Sequence, residues 1–489
     1  MNTFTSSLNE NLQAIKQILP AEDILSYAFQ TSDNVPCAIV YADGIVNKEL
    51  LGRLVAQPLS FLELKTAKEK ETLVQTTARF PELKNVETIH DAVKEILDGN
   101  SLLLVDKIPI GFIVGAKLLP VRAIMEPPTD VAVKGPREGF IEDIKTNMAL
   151  VRKRLKSPDL RLETVRVGRR SDTAVCICYL EGISSENVKE QIKKKLSELD
   201  IDSLPDSSYI SAFLSPRKHS IFRSVGTTEK PDIFTAKIAE GRVGVLVDGS
   251  PIALTLPFLA VEDFQTAEDY FVSPFSATIF RLLRVLSLFV SILLPAFYIS
   301  AQLFKAQLLP LGLTLTIASG TRELPLSPSM EMFVVLLLLE ILKEASIRMP
   351  KYVGMSLSVV GALVLGETAV SAGILSTPAI IVVAFSGICL YTVPNFVETG
   401  SVLRWLFLLV GGGLGPFGIV LLSTFVLFYM LSADSYGAPY LAPFSPLIRK
   451  DIRDSVVKYD MESLSTRPKF LKSNNKTRLK TKKEGGKNA

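Results

Sequence analysis

The sequence predicts a two-part fold: a soluble half of mixed α/β (α+β) structure built from a duplicated unit, followed by a polytopic α-helical membrane bundle. The chain has 489 residues, more than one hydrophobic core usually organises. Charged residues crowd the part before Arg284 and become rare between Val285 and Leu431. We therefore expect two soluble subdomains at residues 1–128 and 129–272, a membrane domain at residues 273–445, and a basic tail at residues 446–489.

The duplication rests on two pairs of similar segments. AIVYADGI at Ala38–Ile45 resembles CICYLEGI at Cys176–Ile183. ILDGNSLLLVDKIPI at Ile96–Ile110 resembles IAEGRVGVLVDGSPI at Ile238–Ile252. The offsets are 138 and 142 residues. Two matches with consistent spacing favour one ancestral unit used twice. The alternative is chance similarity between short strand-like runs.

β-branched runs predict strands, and apolar residues at helical spacing predict helices, in both units. In the first unit we expect a strand at Val35–Tyr41, helices at Asn47–Val55 and Thr88–Leu97, and strands at Ser101–Val105 and Gly111–Ala116. In the second we expect a helix at Phe140–Leu155, strands at Leu160–Val167 and Thr173–Leu180, and a hairpin of Val243–Val247 with Ile252–Leu256. The proline-rich stretch Glu126–Pro136 favours extended backbone and marks the joint between the units.

The first membrane helix is predicted at Val285–Leu303, a run of 19 residues without a charge. Arg281 and Arg284 precede it, so the positive-inside rule assigns this end to the cytoplasm. The N-terminal residues show no signal peptide, which agrees with a cytoplasmic soluble half.

The remaining apolar runs leave the number of spans open. They lie at Phe333–Leu342, Val353–Ile374, Pro378–Val393 and Val402–Leu431. The last run contains four glycines and Pro416 between residues 411 and 416, and it is either one long kinked helix or a tight hairpin of two short spans. A cytoplasmic tail requires an even number of spans, and both four and six satisfy the charge rule.

Acidic and hydroxyl side chains within these runs are the candidates for an ion path, because a carboxylate in hydrocarbon is costly unless it faces protein or water. The candidates are Glu340, Glu344, Glu367 and Ser371. For Glu340, the alternative is an internal ion pair with Lys343. For Glu367, the alternative is a role in packing or hydrogen bonding.

Several classes of function are excluded by what the sequence lacks. No HExxH, GxxxxGK[ST] or GxSxG pattern occurs, so we expect neither an enzyme nor a cofactor or metal site. The net charge of +4 and the absence of a basic stripe argue against nucleic-acid binding. Cys176 and Cys178 share one face of a predicted strand, and a buried face explains them better than a ligand pair. The basic tail, expected to be disordered at its end, is suited to anionic lipid headgroups.

Five segments together resemble the A subunit of nutrient germinant receptors of the GerA type, from endospore-forming bacteria. They are GPREGFIEDIKTNMALVRKRLKSPDL at Gly135–Leu160, EKPDIFTAKIAEGRVGVLVDGSPIALTLP at Glu229–Pro257, EDFQTAEDYF at Glu262–Phe271, GTRELPLSPSMEM at Gly320–Met332 and YGAPYLAPFSP at Tyr436–Pro446. The resemblance runs in order from about residue 20 to residue 450.

The resemblance implies a multi-pass receptor subunit in the spore inner membrane. It implies a transporter-like B subunit and a lipoprotein C subunit as partners, and homo-oligomers of A subunits around a path for released ions. Charged and polar positions in its motifs are candidates for interfaces between subunits or between the soluble units: Asn147, Arg152, Arg154, Glu229, Asp232, Glu240 and Arg242. The alternative is that these charges pair within one domain. Two other functions stay open, a permease that moves a small solute itself and a non-conducting scaffold.

Overall fold

The structure is a computed structural model of the chain, and it describes residues 3–64, 70–78, 83–118, 134–305, 307, 310–321, 324–349, 361, 364–473 and 475–478. Most of the predicted joint Glu126–Pro136, the first part of the predicted run Val353–Ile374 and the tail after Arg478 lie outside these residues.

The first soluble unit is a five-stranded antiparallel sheet with helices packed on it. Its elements are α1 (Leu8–Ile18), β1 (Ile24–Gln30), β2 (Pro36–Ala42), α2 (Lys48–Leu51), α3 (Gln57–Ser60), α4 (Lys70–Thr77), β3 (Leu83–Val86), α5 (Ile89–Leu97), β4 (Ser101–Val105) and β5 (Gly111–Val114), with a π-helical turn at Gly52–Ala56. The strand order is β1-β2-β4-β5-β3. Thr88 caps α5 by accepting a hydrogen bond from the backbone N–H of Asp91, and Gly99, with φ +97°, ends the turn after it.

The second soluble unit repeats this arrangement. Its elements are α6 (Ile144–Arg154), β6 (Leu160–Val167), β7 (Thr173–Leu180), α7 (Glu186–Ser197), α8 (Ser207–Leu214), β8 (Gly226–Thr228), α9 (Pro231–Glu240), β9 (Val243–Val247) and β10 (Ala253–Leu256). The strand order is β6-β7-β9-β10-β8, the same pattern as in the first sheet. Cys176 and Cys178 are fully buried on β7, with their sulfur atoms 3.7 Å apart.

The start of α6 differs from the prediction. The helix expected at Phe140–Leu155 begins only at Ile144, after the N-cap residue Asp143. The side-chain amide of Asn147 explains this, because it bonds both backbone groups of Ile141, accepting from the N–H at 2.9 Å and donating to the C=O at 2.5 Å. These bonds satisfy the residues before Ile144 in a loop instead of a helical turn.

The C-terminal half is helical. It contains α10 (Pro274–Phe304), α11 (Leu311–Thr321), α12 (Pro328–Arg348), a π-helical turn (Val364–Thr368), α13 (Ala369–Ser371), α14 (Thr377–Tyr391) and α15 (Val397–Leu431). Within the described part of the chain, Pro274–Phe304 and Pro394–Leu431 are long and apolar enough to cross a membrane, and α14 is a shorter apolar helix.

α15 folds back on itself at Gly415. This residue has φ 65° and ψ −151°, a conformation open in practice to glycine alone, and Pro416 follows it. A Cβ atom on Gly418 would lie 2.9 Å from the carbonyl oxygen of Val410. Residues eight apart in a straight helix are separated by about 12 Å, so the chain reverses direction between them.

The two ends of α15 also meet at one side chain. The ring of Phe222, from the second soluble unit, lies 6.2 Å from the ring of Phe396 and 5.8 Å from the ring of Tyr429. A straight helix of this length would hold its ends about 50 Å apart. Of the two alternatives for Val402–Leu431, the structure has the tight hairpin.

The contacts of the helices show in which direction each one runs relative to the soluble units. Ser329, at the start of α12, lies beside Gly412 near the hairpin tip, and Lys343, near the end of α12, donates a hydrogen bond to Ser401 at 2.8 Å. Since Ser401 is one turn from the start of α15, α12 runs from the far end of the bundle toward the soluble units. α14 does the same, because the N–H of Ser376 before it contacts Glu331 near the start of α12.

The chain after α15 packs against the second soluble unit and α10. It contains the short pair β11 (Asp434–Ser435) and β12 (Ala438–Pro439) and, in the tail, 3-10 turns at Asp451–Arg453, Met461–Ser463 and Lys469–Leu471. Leu471 is buried, and Arg467 donates a hydrogen bond to the carbonyl oxygen of Ala239 at 3.1 Å. The part of the basic tail that the structure describes therefore has fixed partners.

Candidate functional site

Arg152 joins the two soluble units. It lies on α6, is 1% exposed, and donates hydrogen bonds from Nε and Nη2 to both carboxylate oxygens of Asp23 in the first unit, at 2.8 and 2.7 Å. The same guanidinium also donates to the carbonyl oxygens of Ser157 and Leu160. A bidentate pair with this geometry fixes both position and orientation, so Arg152 holds α6 against the first unit.

Two other candidate interface residues serve the second unit itself. Asn147 is buried and organises the loop before α6, as described above. Arg154 pairs with Glu138 at 2.7 Å, and Lys153 pairs with the other oxygen of the same carboxylate at 2.7 Å. These contacts match the alternative in which the motif charges pair within one domain.

Glu229 and Asp232 lie where α9 begins. The carbonyl oxygen of Glu229 accepts a hydrogen bond from the N–H of Phe140 at 2.7 Å. Asp232 is in the first turn of α9, after Pro231, where a carboxylate is favoured by the positive end of the helix dipole. Both positions thus define the start of this helix.

Arg242 lies at the centre of a buried ion-pair network with Glu240 and Glu262. It is 4% exposed and contacts both carboxylates and the carbonyl oxygen of Pro257. Lys237 pairs with Glu262 at 2.7 Å. Burial raises the pKa of Glu262, but Arg242 and Lys237 outweigh burial and hold this pKa below its ordinary value. The network fixes the 3-10 turn Ala260–Phe264 to α9 and β9.

Glu240 also contacts the tail. Its second oxygen lies 3.6 Å from Arg478, and burial raises the pKa of its carboxyl group. The tail therefore shares a carboxylate with Arg242.

A second cluster, the junction cluster, consists of Asp269, Tyr270, Arg281, Arg284, Asp454 and Lys458. Asp269, 1% exposed, accepts hydrogen bonds from Arg281 at 2.9 Å and from Arg284 at 2.9 and 3.0 Å. Burial raises the pKa of Asp269, but Arg284 and Arg281 outweigh it and keep the pKa low. The carboxylate thus stays ionised between the two arginines of α10.

The tail completes the junction cluster. Asp454 accepts hydrogen bonds from Arg281 at 3.2 Å and from the hydroxyl of Tyr270 at 3.0 Å. Tyr270 has Arg281 5.6 Å and Lys458 4.7 Å from its ring centroid. The second soluble unit, α10 and the tail are locked together at this point.

Arg404 forms a buried cluster inside the helical half. It is 1% exposed, and its two Nη atoms donate hydrogen bonds to Glu340 at 2.5 Å and to the hydroxyl of Ser386 at 3.1 Å. Lys343 pairs with the other oxygen of Glu340. Glu340, a candidate for the ion path, is thus neutralised by Lys343 on its own helix and by Arg404 on α15.

The other three candidates for the ion path are exposed. Glu344 is on the same helix as Glu340, one turn farther on, and pairs with Arg348. Glu367 and Ser371 lie on adjoining turns, and the Ser371 hydroxyl donates to the Glu367 carbonyl oxygen at 2.6 Å. Glu367 precedes the turn at Gly373 and so lies toward the far end of the bundle, whereas Glu340 and Glu344 lie toward the soluble units. The structure therefore does not bring Glu340 and Glu344 together with Glu367 and Ser371.

Sequence reasoning missed Asp23, Asp269, Asp454 and Lys458. Asp269 stands in the motif EDFQTAEDYF, so the resemblance contained a signal for it. Asp23 and Asp454 are separated from their arginine partners by 129 and 173 residues, and no local pattern marks them.

Comparison with known proteins gives consistent relatives over nearly the whole chain. Residues 10–470 match the family model described as Bacillus/Clostridium GerA spore germination protein. The chain is 30% identical to Spore germination protein KA of Bacillus subtilis (strain 168), over 96% of this chain and 88% of that protein. It is 30% identical to Spore germination protein GerLA of Bacillus cereus, over 90% of each.

Two further matches concern the membrane and the soluble half. The chain is 31% identical to the Uncharacterized membrane protein YfkQ of Bacillus subtilis (strain 168), over 94% of this chain and 91% of that protein. A crystal structure of the N-terminal domain of the A subunit of the Bacillus megaterium spore germinant receptor GerK3 matches at 28% identity and a TM-score of 0.42, covering 52% of this chain and 96% of that chain. From the family model and the curated relatives it follows that this chain belongs to the Bacillus/Clostridium GerA family of spore germination proteins.

Proposed function

We propose that this chain is the A subunit of a nutrient germinant receptor in the spore inner membrane, and that copies of it assemble to form or gate the path by which ions leave the spore. The family membership supports the receptor role. The ion path rests on one observation, the contrast between Glu340 and Glu367.

Glu340 is unsuited to conduct cations because Arg404 and Lys343 already neutralise it and give the cluster a net positive charge. Glu367 is exposed, on the outside of the described bundle. An ionised carboxylate facing hydrocarbon costs about 3 kcal/mol at the bilayer centre and less toward either surface. This cost disappears if Glu367 faces a water-filled path that it shares with a second copy of the chain. The path in this proposal therefore lies between copies and not within one copy.

The rest of the proposal concerns topology and partners. α10, α12, α14 and the two legs of α15 supply five crossings. Because α12 and α14 run in the same direction, the chain must cross once more between them, so we propose six crossings, with both soluble units and the tail in the cytoplasm. The proposed domains end at residues 128, 272 and 445, and the tail follows. The matching strand orders of the two sheets support an ancestral duplication. A transporter-like B subunit and a lipoprotein C subunit complete the receptor, and the chain has no catalytic role.

The test is nutrient-triggered potassium release from spores that carry this protein as their sole A subunit, either intact or as Glu367→Gln. Glu398→Gln is the matched control, because Glu398 is an exposed acid of the same half in the first turn of α15. Immunoblots establish equal abundance. We expect Glu367→Gln to slow release several-fold and Glu398→Gln to leave it unchanged.

The alternatives predict other results. A non-conducting scaffold tolerates Glu367→Gln at normal abundance, and that outcome would remove Glu367 from the ion path. A permease requires the chain to move a solute when it is reconstituted alone in vesicles, without release of potassium.

A further inference from the structure

The loop between α8 and β8, residues 215–225, lies at the boundary between the soluble units and the apolar helices. The Thr399 hydroxyl donates to the carbonyl oxygen of Ile221 at 2.5 Å, at the start of the hairpin. Arg217 donates to the Ser432 hydroxyl at 3.3 Å, after the end of the hairpin. Because the loop contacts both ends of an apolar hairpin, it lies at the level where the hairpin enters and leaves the bilayer.

Aromatic side chains mark the same level. The guanidinium carbon of Arg217 lies 5.1 Å from the centroid of the Tyr429 ring. Tyr391, at the end of α14, is 54% exposed, and Ile221 is 40% exposed. Tyrosines of this kind are enriched where membrane helices meet headgroups.

The loop carries two cations, Arg217 and Lys218, that form no ion pair with an acid of the described residues. Its sequence SPRKHSIFRSV contains Arg217, Lys218, His219 and Arg223. Arg217 bonds only to the hydroxyl and carbonyl oxygens of Ser432, and Lys218 makes neither a hydrogen bond nor an ion pair with the described residues. Glu398 and Asp434, the acids nearest the hairpin ends in sequence, form no ion pair with either of them within the described chain.

Other exposed arginines of this unit differ in this respect. In the turn between β6 and β7, Arg169 and Arg170 pair with Asp200 and Asp202. Arg217 and Lys218 therefore differ from the two arginines of the turn between β6 and β7, whose charges are matched by acids.

We propose that the loop around Arg217 and Lys218 binds the phosphate groups of anionic phospholipids on the side of the membrane that faces the soluble units. Arginine presents a planar fork of donors that matches a phosphate, and lysine adds a mobile point charge. Ile221 would enter the headgroup region beside them. The proposal rests on the proposed function only in requiring that the hairpin lies in a membrane.

The test uses the purified full-length protein in neutral detergent, titrated with fluorescently labelled phosphatidylglycerol. A basic side chain near an anionic surface contributes roughly fivefold to binding, so Arg217→Gln/Lys218→Gln should weaken binding about 25-fold. Arg169→Gln/Arg170→Gln removes the same charge and should stay within about twofold of the intact protein. Lys218→Gln alone should lose about fivefold, and because Lys218 has no contact to break, misfolding cannot explain the loss.

Competitors identify the source of the phosphate. Unlabelled phosphatidylglycerol should displace the probe, whereas phosphatidylcholine and inorganic phosphate should not. The proposal would be overturned if the loop variant bound the lipid as well as the intact protein, and the partner of the loop would then be an acidic protein surface. It would also be overturned if the control variant lost as much binding as the loop variant, or if phosphatidylcholine or free phosphate displaced the probe. Potassium release is measured separately, so a negative result in the lipid titration leaves the proposed function standing. A chain that stays soluble without detergent would refute both the lipid site and the proposed function.

Discussion

Arg152 in the second soluble unit and Asp23 in the first form a bidentate pair that is almost completely buried, with side-chain exposures of 2% and 3%. This pair lies where α6 packs on the first unit. On the same helix, the Cβ atom of Ala149 would lie only 2.9 Å from a Cβ atom added to Gly44 of the first unit.

Breaking this pair should loosen the contact between the units. Asp23→Asn leaves Arg152 buried with its charge uncompensated, which costs about 3 kcal/mol or more. Peptide-level hydrogen exchange should show α6 and β6 exchanging roughly 100-fold faster. In Arg154→Gln, which removes a half-exposed charge from the same helix, exchange should change little. Equal protection in Asp23→Asn and the intact protein would contradict the clamp.

The pair of Glu340 and Arg404 should be required for assembly of the helical half. Glu340→Gln alone should lower the amount of protein in membranes, because the buried Arg404 loses its carboxylate partner at a cost of about 3–5 kcal/mol. Arg404→Gln alone should lower it less, because Glu340 stays paired with Lys343. The double variant should recover most of this loss, since it removes both charges together. Immunoblots of membrane fractions measure the effect, and Glu344→Gln, at an exposed position, is the control. If the double variant is worse than both single variants, the pairing is not what stabilises the bundle.

Asp263 should make stability depend on pH. It is 4% exposed in the 3-10 turn before α10, neither carboxylate oxygen has a hydrogen-bond partner among the described residues, and burial raises its pKa from 3.8 to about 7. Arg223 and Lys237 oppose this shift and Glu262 adds to it. Since the folded protein favours the protonated acid, its contribution is complete below pH 3.8 and is lost as the pH rises through 7.

Asp263→Asn keeps a neutral side chain at every pH and should therefore gain in relative stability across this window. The difference in the free energy of unfolding between the variant and the intact protein should grow between about pH 4 and pH 7, at a rate near 1.4 kcal/mol per pH unit, and then level off. Melting temperatures measured across this pH range follow the change. A difference that is constant with pH would show that Asp263 ionises normally in the folded protein.

Gly415→Ala should open the hairpin. The added Cβ atom would lie 2.8 Å from the ring of Phe304, in a backbone conformation with φ 65° that other residues avoid. Gly413→Ala is the matched control, because nothing lies within 4 Å of its Cβ position. A cysteine placed at Ser432 and an impermeant thiol reagent report on which side of the membrane the hairpin ends. We expect changed labelling, or loss of the protein, in the first variant alone.

Much of the local structure could be predicted from the sequence. The strands Leu160–Val167 and Thr173–Leu180 have the predicted bounds, because β-branched periodicity and a turn at Asp172 are local signals. The hairpin of Val402–Leu431 could be stated only as one of two alternatives. Its glycines are visible locally, but the contact with Phe222 that distinguishes a reversal from a kink joins residues far apart in the chain.

The pairing of charges was beyond prediction for the same reason. Glu340 in the sequence is an acid in an apolar run, equally suited to a path or to an ion pair. Its partner Arg404 is 64 residues away, on a helix whose position depends on the hairpin. Spacing identified which residues were unusual, and the tertiary fold determined what each of them contacts.

The junction cluster makes α10 a lever. Asp269 binds both Arg281 and Arg284 close to the start of this helix. A rotation of the second soluble unit would therefore tilt the helix by a similar angle. The 31 residues of α10 make a rod about 46 Å long, so a tilt of about 5° at its base displaces its far tip by about 4 Å. A small rearrangement of the second soluble unit would in this way become a displacement of about 4 Å at the far end of the helix.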